Sequence, residues 1–85
     1  MRYEIFLSRQ ARKFLDRLDV TTRSRIAEKL KLLSDNPFAL PYKKIKDREN
    51  TYRIRIGDFR VIYVVRGNEI RVLKIDKRER VYDRL

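Results

Sequence analysis

The sequence predicts an α+β domain: an N-terminal strand, an antiparallel helical hairpin, then a three-stranded antiparallel meander, with the helices packed on one face of the sheet. Three observations lead there. The chain opens on a short alternating apolar run, continues with two stripes at helical spacing, and ends in three strand-like runs separated by Gly-Asp and Gly-Asn. Helices followed by a block of hairpin-linked strands is the order of a segregated α+β architecture. At 85 residues, with no low-complexity linker or internal repeat, residues 1–85 are expected to form one domain with one modest core.

The first strand is read at Tyr3 to Leu7, with Tyr3, Ile5 and Leu7 on one face. Ser8 follows as a helix cap, because its hydroxyl can accept from a free N–H of the first turn. Ala11, Phe14, Leu15 and Leu18 then recur at helical spacing. Asp19 is placed to cap a second helix whose stripe is Ile26, Ala27, Leu30 and Leu33. That helix should stop near Asn36, since Pro37 disfavours helical geometry in the residue before it. The segment from Pro37 to Asn50 reads as loop and carries Lys43, Lys44, Lys46 and Arg48. Strands follow at Thr51 to Ile56, Phe59 to Val65 and Ile70 to Ile75. Gly57-Asp58 and Gly67-Asn68 suit two-residue hairpin loops, with glycine where positive φ is needed. A short turn or helix from Arg80 to Leu85 closes the chain.

A two-residue loop at Gly57-Asp58 sets Ile56 opposite Phe59, Arg55 opposite Arg60 and Ile54 opposite Val61. One face then holds Tyr52, Ile54, Ile56, Phe59, Val61, Tyr63 and Val65, a continuous layer for the helices to cover. The other holds Arg53, Arg55 and Arg60 beside Ile62 and Val64. Like charges directly opposite each other on paired strands cost about 0.2–1 kcal/mol each. A single exposed arginine is ordinary solvated surface, but three on one face of one hairpin point to a phosphate or other anion. Lys77, Arg78 and Arg80 follow the last strand, and Tyr82 after them either stacks on a base or packs with Val81 and Leu85.

Charge narrows the function classes. The sequence has 23 Lys and Arg against 12 Asp and Glu, a net charge of +11, which favours a polyanionic partner such as nucleic acid. It has no cysteine, so no disulfide or thiolate zinc site, and no histidine, the commonest general base near neutral pH. Catalysis would run on Lys, Arg, Tyr or carboxylates, on an open face rather than in a deep pocket. No metal or cofactor is called for. No stretch is apolar enough to span a membrane and no signal peptide opens the chain, so the expected location is cytoplasmic.

The run Tyr52-Arg53-Ile54-Arg55-Ile56-Gly57-Asp58-Phe59-Arg60-Val61-Ile62-Tyr63 resembles the central hairpin of the RelE/ParE toxin superfamily. The tail Lys77-Arg78-Glu79-Arg80-Val81-Tyr82 is similar to its basic C-terminal motif ending in tyrosine. The strand, Ser8 and two helices ending at Asn36-Pro37 extend the likeness over essentially the whole chain. The resemblance to RelE implies the toxin of a type II toxin–antitoxin system, a ribosome-dependent endoribonuclease that cuts mRNA in the A site. There the ribose 2′-hydroxyl attacks the adjacent phosphate without a metal, and translation stops.

Carried over by position, Arg53, Arg55 and Arg60 lie on the reactive face, Arg78 holds phosphate or leaving group, and Tyr82 stacks on the base. Lys43, Lys44, Lys46, Lys77 and Arg80 would contact RNA or ribosome. Family members often have lysine at the positions of Arg53 and Arg55, and Gly-His where this chain has Asp76-Lys77. The proton acceptor is thus open among Lys77, Lys44, Lys46 and Tyr82, or no residue fills that role. The same fold also serves ParE-like inhibitors of DNA gyrase, which need no catalysis, and charge alone would suit a non-catalytic nucleic-acid-binding module. The resemblance further implies a RelB-like antitoxin, acidic and folding on binding, for which Ile62, Val64, Leu73 and Ile75 offer an apolar docking patch beside the arginines.

Overall fold

A computed structural model describes residues 2–77 of the chain. Two helices lie on one face of a five-stranded sheet. In chain order the elements are β1 (Glu4–Leu7), α1 (Arg9–Asp16), α2 (Val20–Asp35), β2 (Tyr42–Lys44), β3 (Thr51–Ile56), β4 (Phe59–Arg66) and β5 (Glu69–Lys77). The strands run β1-β5-β4-β3-β2 across the sheet; β1 is parallel to β5 and the other neighbours are antiparallel. The expected turn or helix over 80–85 lies outside the described residues. Among the described residues no helix is long and apolar enough to cross a membrane.

Both helices start where a side chain accepts from the first turn. Ser8 Oγ accepts from Ala11 N at 3.0 Å, and an Asp19 carboxylate oxygen accepts from Thr22 N at 3.2 Å. Contacts to Thr22, its side chain first and then its backbone N–H, hold the Asp19 carboxyl below its ordinary pKa. Helix α2 ends at Asn36, the residue before Pro37. Its buried stripe is Ile26, Leu30, Leu33 and Ser34, while Ala27, expected inside, is exposed. Ser34 takes a core position because both its polar groups are used. Its hydroxyl donates to Lys31 O at 2.6 Å, and its carbonyl accepts from Arg2 N and Tyr3 N.

The core is one cluster in which Ala11, Leu15, Ile26, Leu30 and Leu33 meet Ile54, Ile56, Val61, Tyr63, Ile70, Val72 and Ile75. Phe14 of α1 meets Phe59 edge-on, with ring centroids 5.7 Å apart. Tyr63 is fully buried, and its hydroxyl donates to Pro37 O at 2.7 Å, which pins the start of the α2–β2 connection. Burial, with lesser contributions from Tyr52 and Tyr42, raises the Tyr63 phenol well above its ordinary pKa.

Two features depart from the reading of the sequence. Within the segment 37–50, Tyr42–Lys44 forms an outer strand on β3, where the expectation was loop throughout. Three residues after a proline carry too little periodicity to announce a strand. Pairing with the edge of β3 makes it one, and its lysines discourage a further strand from adding. The second feature is a β-bulge. Tyr63 pairs with Val72 but Ile62 pairs with Lys74, so Leu73 is an extra residue in β5. Strict alternation from Ile70 and Val72 would send Lys74 and Asp76 into the core. Absorbing Leu73 turns them out and turns Ile75 in.

The bulge lies where β1 has run out. Beyond Leu7, paired with Val72, the backbone of β5 is met by the start of α1. Ser8 N donates to Val72 O at 2.9 Å and the Ser8 hydroxyl to Leu73 O at 2.8 Å. The Gln10 side-chain amide then donates to Ile75 O at 2.8 Å and accepts from Ile75 N at 3.0 Å, as a strand residue would. Gln10→Ala should therefore lower stability by about 1–3 kcal/mol, the cost of stranding part-buried backbone groups, read as a shift in the urea midpoint at unchanged m. An unshifted midpoint would mean that solvent replaces the amide without loss.

Candidate nucleic-acid interface

The hairpin β3–β4 has the register read from its loop: Ile56 with Phe59, Arg55 with Arg60, Ile54 with Val61. Gly57 and Gly67 both adopt positive φ, 59° and 55°, as two-residue hairpin loops require. Arg53, Arg55 and Arg60 consequently stand together on the face away from the helices.

Adjacent pairings extend this cluster across four strands. Lys43 of β2 pairs with Arg53, Arg53 with Ile62, and Ile62 with Lys74, giving one rank across the sheet. In the next rank Arg55 pairs with Arg60 and Arg60 with Asp76. Neighbouring strands lie about 4.8 Å apart, so successive charges in a rank fall at close spacing. A groove of about 300 Å³ is bounded by Pro41, Tyr42, Lys43, Arg53, Arg55 and Arg60. Arg53 and Arg60 are half-buried, whereas Arg55 is exposed. Burial, then Arg60, then Arg55 lower the pKa of Arg53, so the guanidinium groups feel one another.

Other cations are placed elsewhere. Lys44 pairs with Tyr52 and so belongs to the opposite side of β2 from Lys43. With Lys46 it lines a separate depression of about 530 Å³ over the β2–β3 loop, together with Ile45, Asp47, Arg48 and Glu49. Lys77 pairs with Phe59, on the helix side of the sheet. Arg71 forms an ion pair with Glu69 at 2.9 Å and lies 5.0 Å from the Phe6 ring centroid, toward the β1 end of the face. Arg78, Arg80 and Tyr82 lie outside the described residues.

The structure brings Lys43, Arg53, Arg55 and Arg60 together and separates Lys44, Lys46 and Lys77 from them. It also adds Lys74, which the sequence reading passed over. The signal was present in Ile-Arg-Val-Leu-Lys-Ile-Asp, where apolar alternation slips by one at Leu73. The expected docking patch needs correction, at Ile75 for the same reason. Ile75 is in the core under the helices, and Ile62 is fully buried, leaving Val64 and Leu73 half-buried.

The arrangement can hold phosphate. Guanidinium groups present forked donors that match phosphoryl oxygens, and their fixed positions favour charge that grows during reaction. Among the described residues no three His, Cys, Asp or Glu side chains come together as a metal site would require.

Comparison with known proteins places the chain in a defined group. A family model described as "ParE toxin of type II toxin-antitoxin system, parDE" matches residues 5–82. A RelE-like toxin protein of Escherichia coli is 33% identical over 84 residues, covering 94% of this chain and 87% of the relative. Toxin RelE1 of Methanocaldococcus jannaschii is 31% identical over 87 residues, covering 96% and 97% of the two chains. In the crystal structure of the archaeal RelE–RelB complex from Pyrococcus horikoshii OT3, a chain 30% identical superposes with a TM-score of 0.82 over 95% of this chain and 100% of its own.

Proposed function

We propose a function from one premise: the chain belongs to the ParE toxin family of type II toxin–antitoxin systems, as a RelE-like toxin. It acts as an endoribonuclease that enters the ribosomal A site and cuts the exposed message, stopping translation. The observation that carries this reading is the cluster of Lys43, Arg53, Arg55 and Arg60, two adjacent ranks on the sheet face opposite the helices.

In this chemistry a ribose 2′-oxygen bonds to the adjacent phosphorus and the bond to the 5′-oxygen breaks, leaving a 2′,3′-cyclic phosphate. The 2′-hydroxyl proton passes to water, and the departing 5′-oxygen takes one from water. Negative charge builds on the phosphoryl oxygens during attack. Arg53, Arg55 and Arg60 stabilise that charge more than the ground state, which is what accelerates the step. Arg78 holds the phosphate or leaving group, and Tyr82 stacks on the base. Lys43, Lys74 and Arg80 hold the flanking backbone. Lys44 and Lys77 point to the other side of the sheet, so orientation and charge stabilisation carry more of the rate than a dedicated base.

A RelB-like antitoxin silences the toxin, a reading supported by the likeness to the archaeal RelE bound to RelB. An acidic antitoxin segment would neutralise the arginine groove, and the complex belongs in the cytoplasm with the ribosomes. A second reading, inhibition of DNA gyrase without catalysis, is favoured by the ParE description of the matching family.

Two assays on the free toxin separate them. Primer extension on ribosome-bound message should show discrete cuts within codons, while gyrase supercoiling proceeds normally. Blocked supercoiling with uncut message would establish the second reading. Neither effect would leave a nucleic-acid-binding module without toxic activity.

A further inference from the structure

A group of aromatic side chains stands at the open edge of the sheet, beside the arginine groove. Phe38 and Tyr42 are 42% and 46% exposed, unusual for rings this large. Their centroids lie 5.0 Å apart, and each meets Tyr52, at 5.1 and 5.5 Å. Tyr52 in turn contacts the buried Tyr63 at 5.8 Å. The outer rings are therefore backed by the core.

The connection that carries Phe38 is also fixed. Tyr63 donates to Pro37 O, Phe38 N donates to Asn36 Oδ1 at 2.9 Å, and Ala39 N donates to Asn36 O at 3.0 Å. A ring held this way gives up little freedom when something stacks on it.

Tyr42 borders the groove as well. It pairs with Ile54 while its neighbour Lys43 pairs with Arg53, so successive residues of β2 serve opposite sides of the sheet. Because β2 is the outermost strand, those sides meet at its free edge. Tyr42 lines the groove together with Lys43, Arg53, Arg55 and Arg60. Cations that track a phosphate backbone beside an exposed ring are the equipment for gripping an unpaired strand.

We infer that Tyr42, backed by Phe38, is a nucleobase-stacking subsite for single-stranded RNA, in addition to the role proposed for Tyr82. A strand crossing the β2 edge sets a phosphate against Lys43 and Arg53 and lays an adjoining base on Tyr42. This rests on the RNA-directed reading above but concerns binding, not cleavage.

The test uses two fluorescein-labelled 2′-O-methyl hexamers, which cannot be cut by 2′-oxygen attack. One carries bases and the other is abasic; binding is followed by anisotropy across a salt series, with Tyr82→Ala in every toxin so that only the β2 edge can stack on a base. The toxin should prefer the base-bearing strand by roughly 5- to 100-fold. Tyr42→Ala should remove most of that preference while leaving abasic affinity and the salt slope in place. Tyr42→Phe should keep the preference. Tyr42→Leu, which preserves apolar bulk against Phe38 and Tyr52, should lose it and decides the matter if the alanine variant does not fold.

No preference in the toxin that keeps Tyr42, equal weakening toward both strands, or full preference in Tyr42→Leu would overturn the inference. The ribosome assay reads the other proposal separately. Cuts in message with no base preference would sink the stacking subsite alone, and full preference without cuts would sink the ribonuclease alone.

Discussion

Arg60→Ala should lower the single-turnover rate of ribosome-dependent cleavage by about 10²–10³-fold, the usual consequence of removing one fixed donor from developing transition-state charge. Arg60 is the centre of its rank, paired with Arg55 on one side and Asp76 on the other. No other residue of the cluster can move into its place without leaving its own strand. Stability should change little. The substitution removes one member of a like-charged group, relieving repulsion of about 0.2–1 kcal/mol per cross-strand pair, against lost attraction to the neighbouring Asp76 and some lost packing of a half-buried side chain. The expected signature is a collapsed rate with an unfolding midpoint near that of the parent. Arg60→Lys should recover only part of the rate, since an ammonium keeps the charge but not the forked donor geometry. If Arg60→Ala instead unfolded the domain, the residue would be structural and the placement of the reactive face wrong.

Ile75→Ala should cost about 2–5 kcal/mol of stability, the range for removing most of a fully buried aliphatic side chain. Ile75 has no exposed surface and sits in the cluster shared by both helices and the sheet. For a domain of this size that is a large share of the 5–15 kcal/mol typically available, so the thermal midpoint should drop by roughly 8–40 degrees. Val64→Ala gives the contrast. Val64 is half-buried on the opposite face and should cost under about 1 kcal/mol. The pair tests the bulge directly, because without Leu73 as an extra residue Ile75 would belong to the same face as Val64. Equal costs for the two substitutions would contradict the observed register.

The deepest consequence of that bulge is for the site. It brings Lys74 into rank with Ile62, Arg53 and Lys43, and it sets Asp76 beside Arg60. Asp76 moderates the cluster at the β5 end, while the β2 end is cationic and bordered by exposed rings. Incoming RNA would meet the more positive end first, an effect that salt should weaken steeply.

Local chemistry was legible in the sequence. Ser8 and Asp19 as caps, Pro37 as the stop for α2, and Gly57-Asp58 as a two-residue loop each depend on a few adjacent residues and needed no fold to be read. The loop fixed the hairpin register, and period two then assigned Arg53, Arg55 and Arg60 to one face. What the tertiary structure alone decided involves partners distant in sequence. Tyr42–Lys44 is a strand because β3 offers it an edge. Leu73 is a bulge because β5 runs from β1 onto the side chains of Ser8 and Gln10, 65 residues away along the chain. Periodicity reports which way a side chain points within its own element. Whether a backbone edge is met by a strand, a helix or solvent is settled only when the chain has closed on itself, and here that closure selected which lysines joined the arginines.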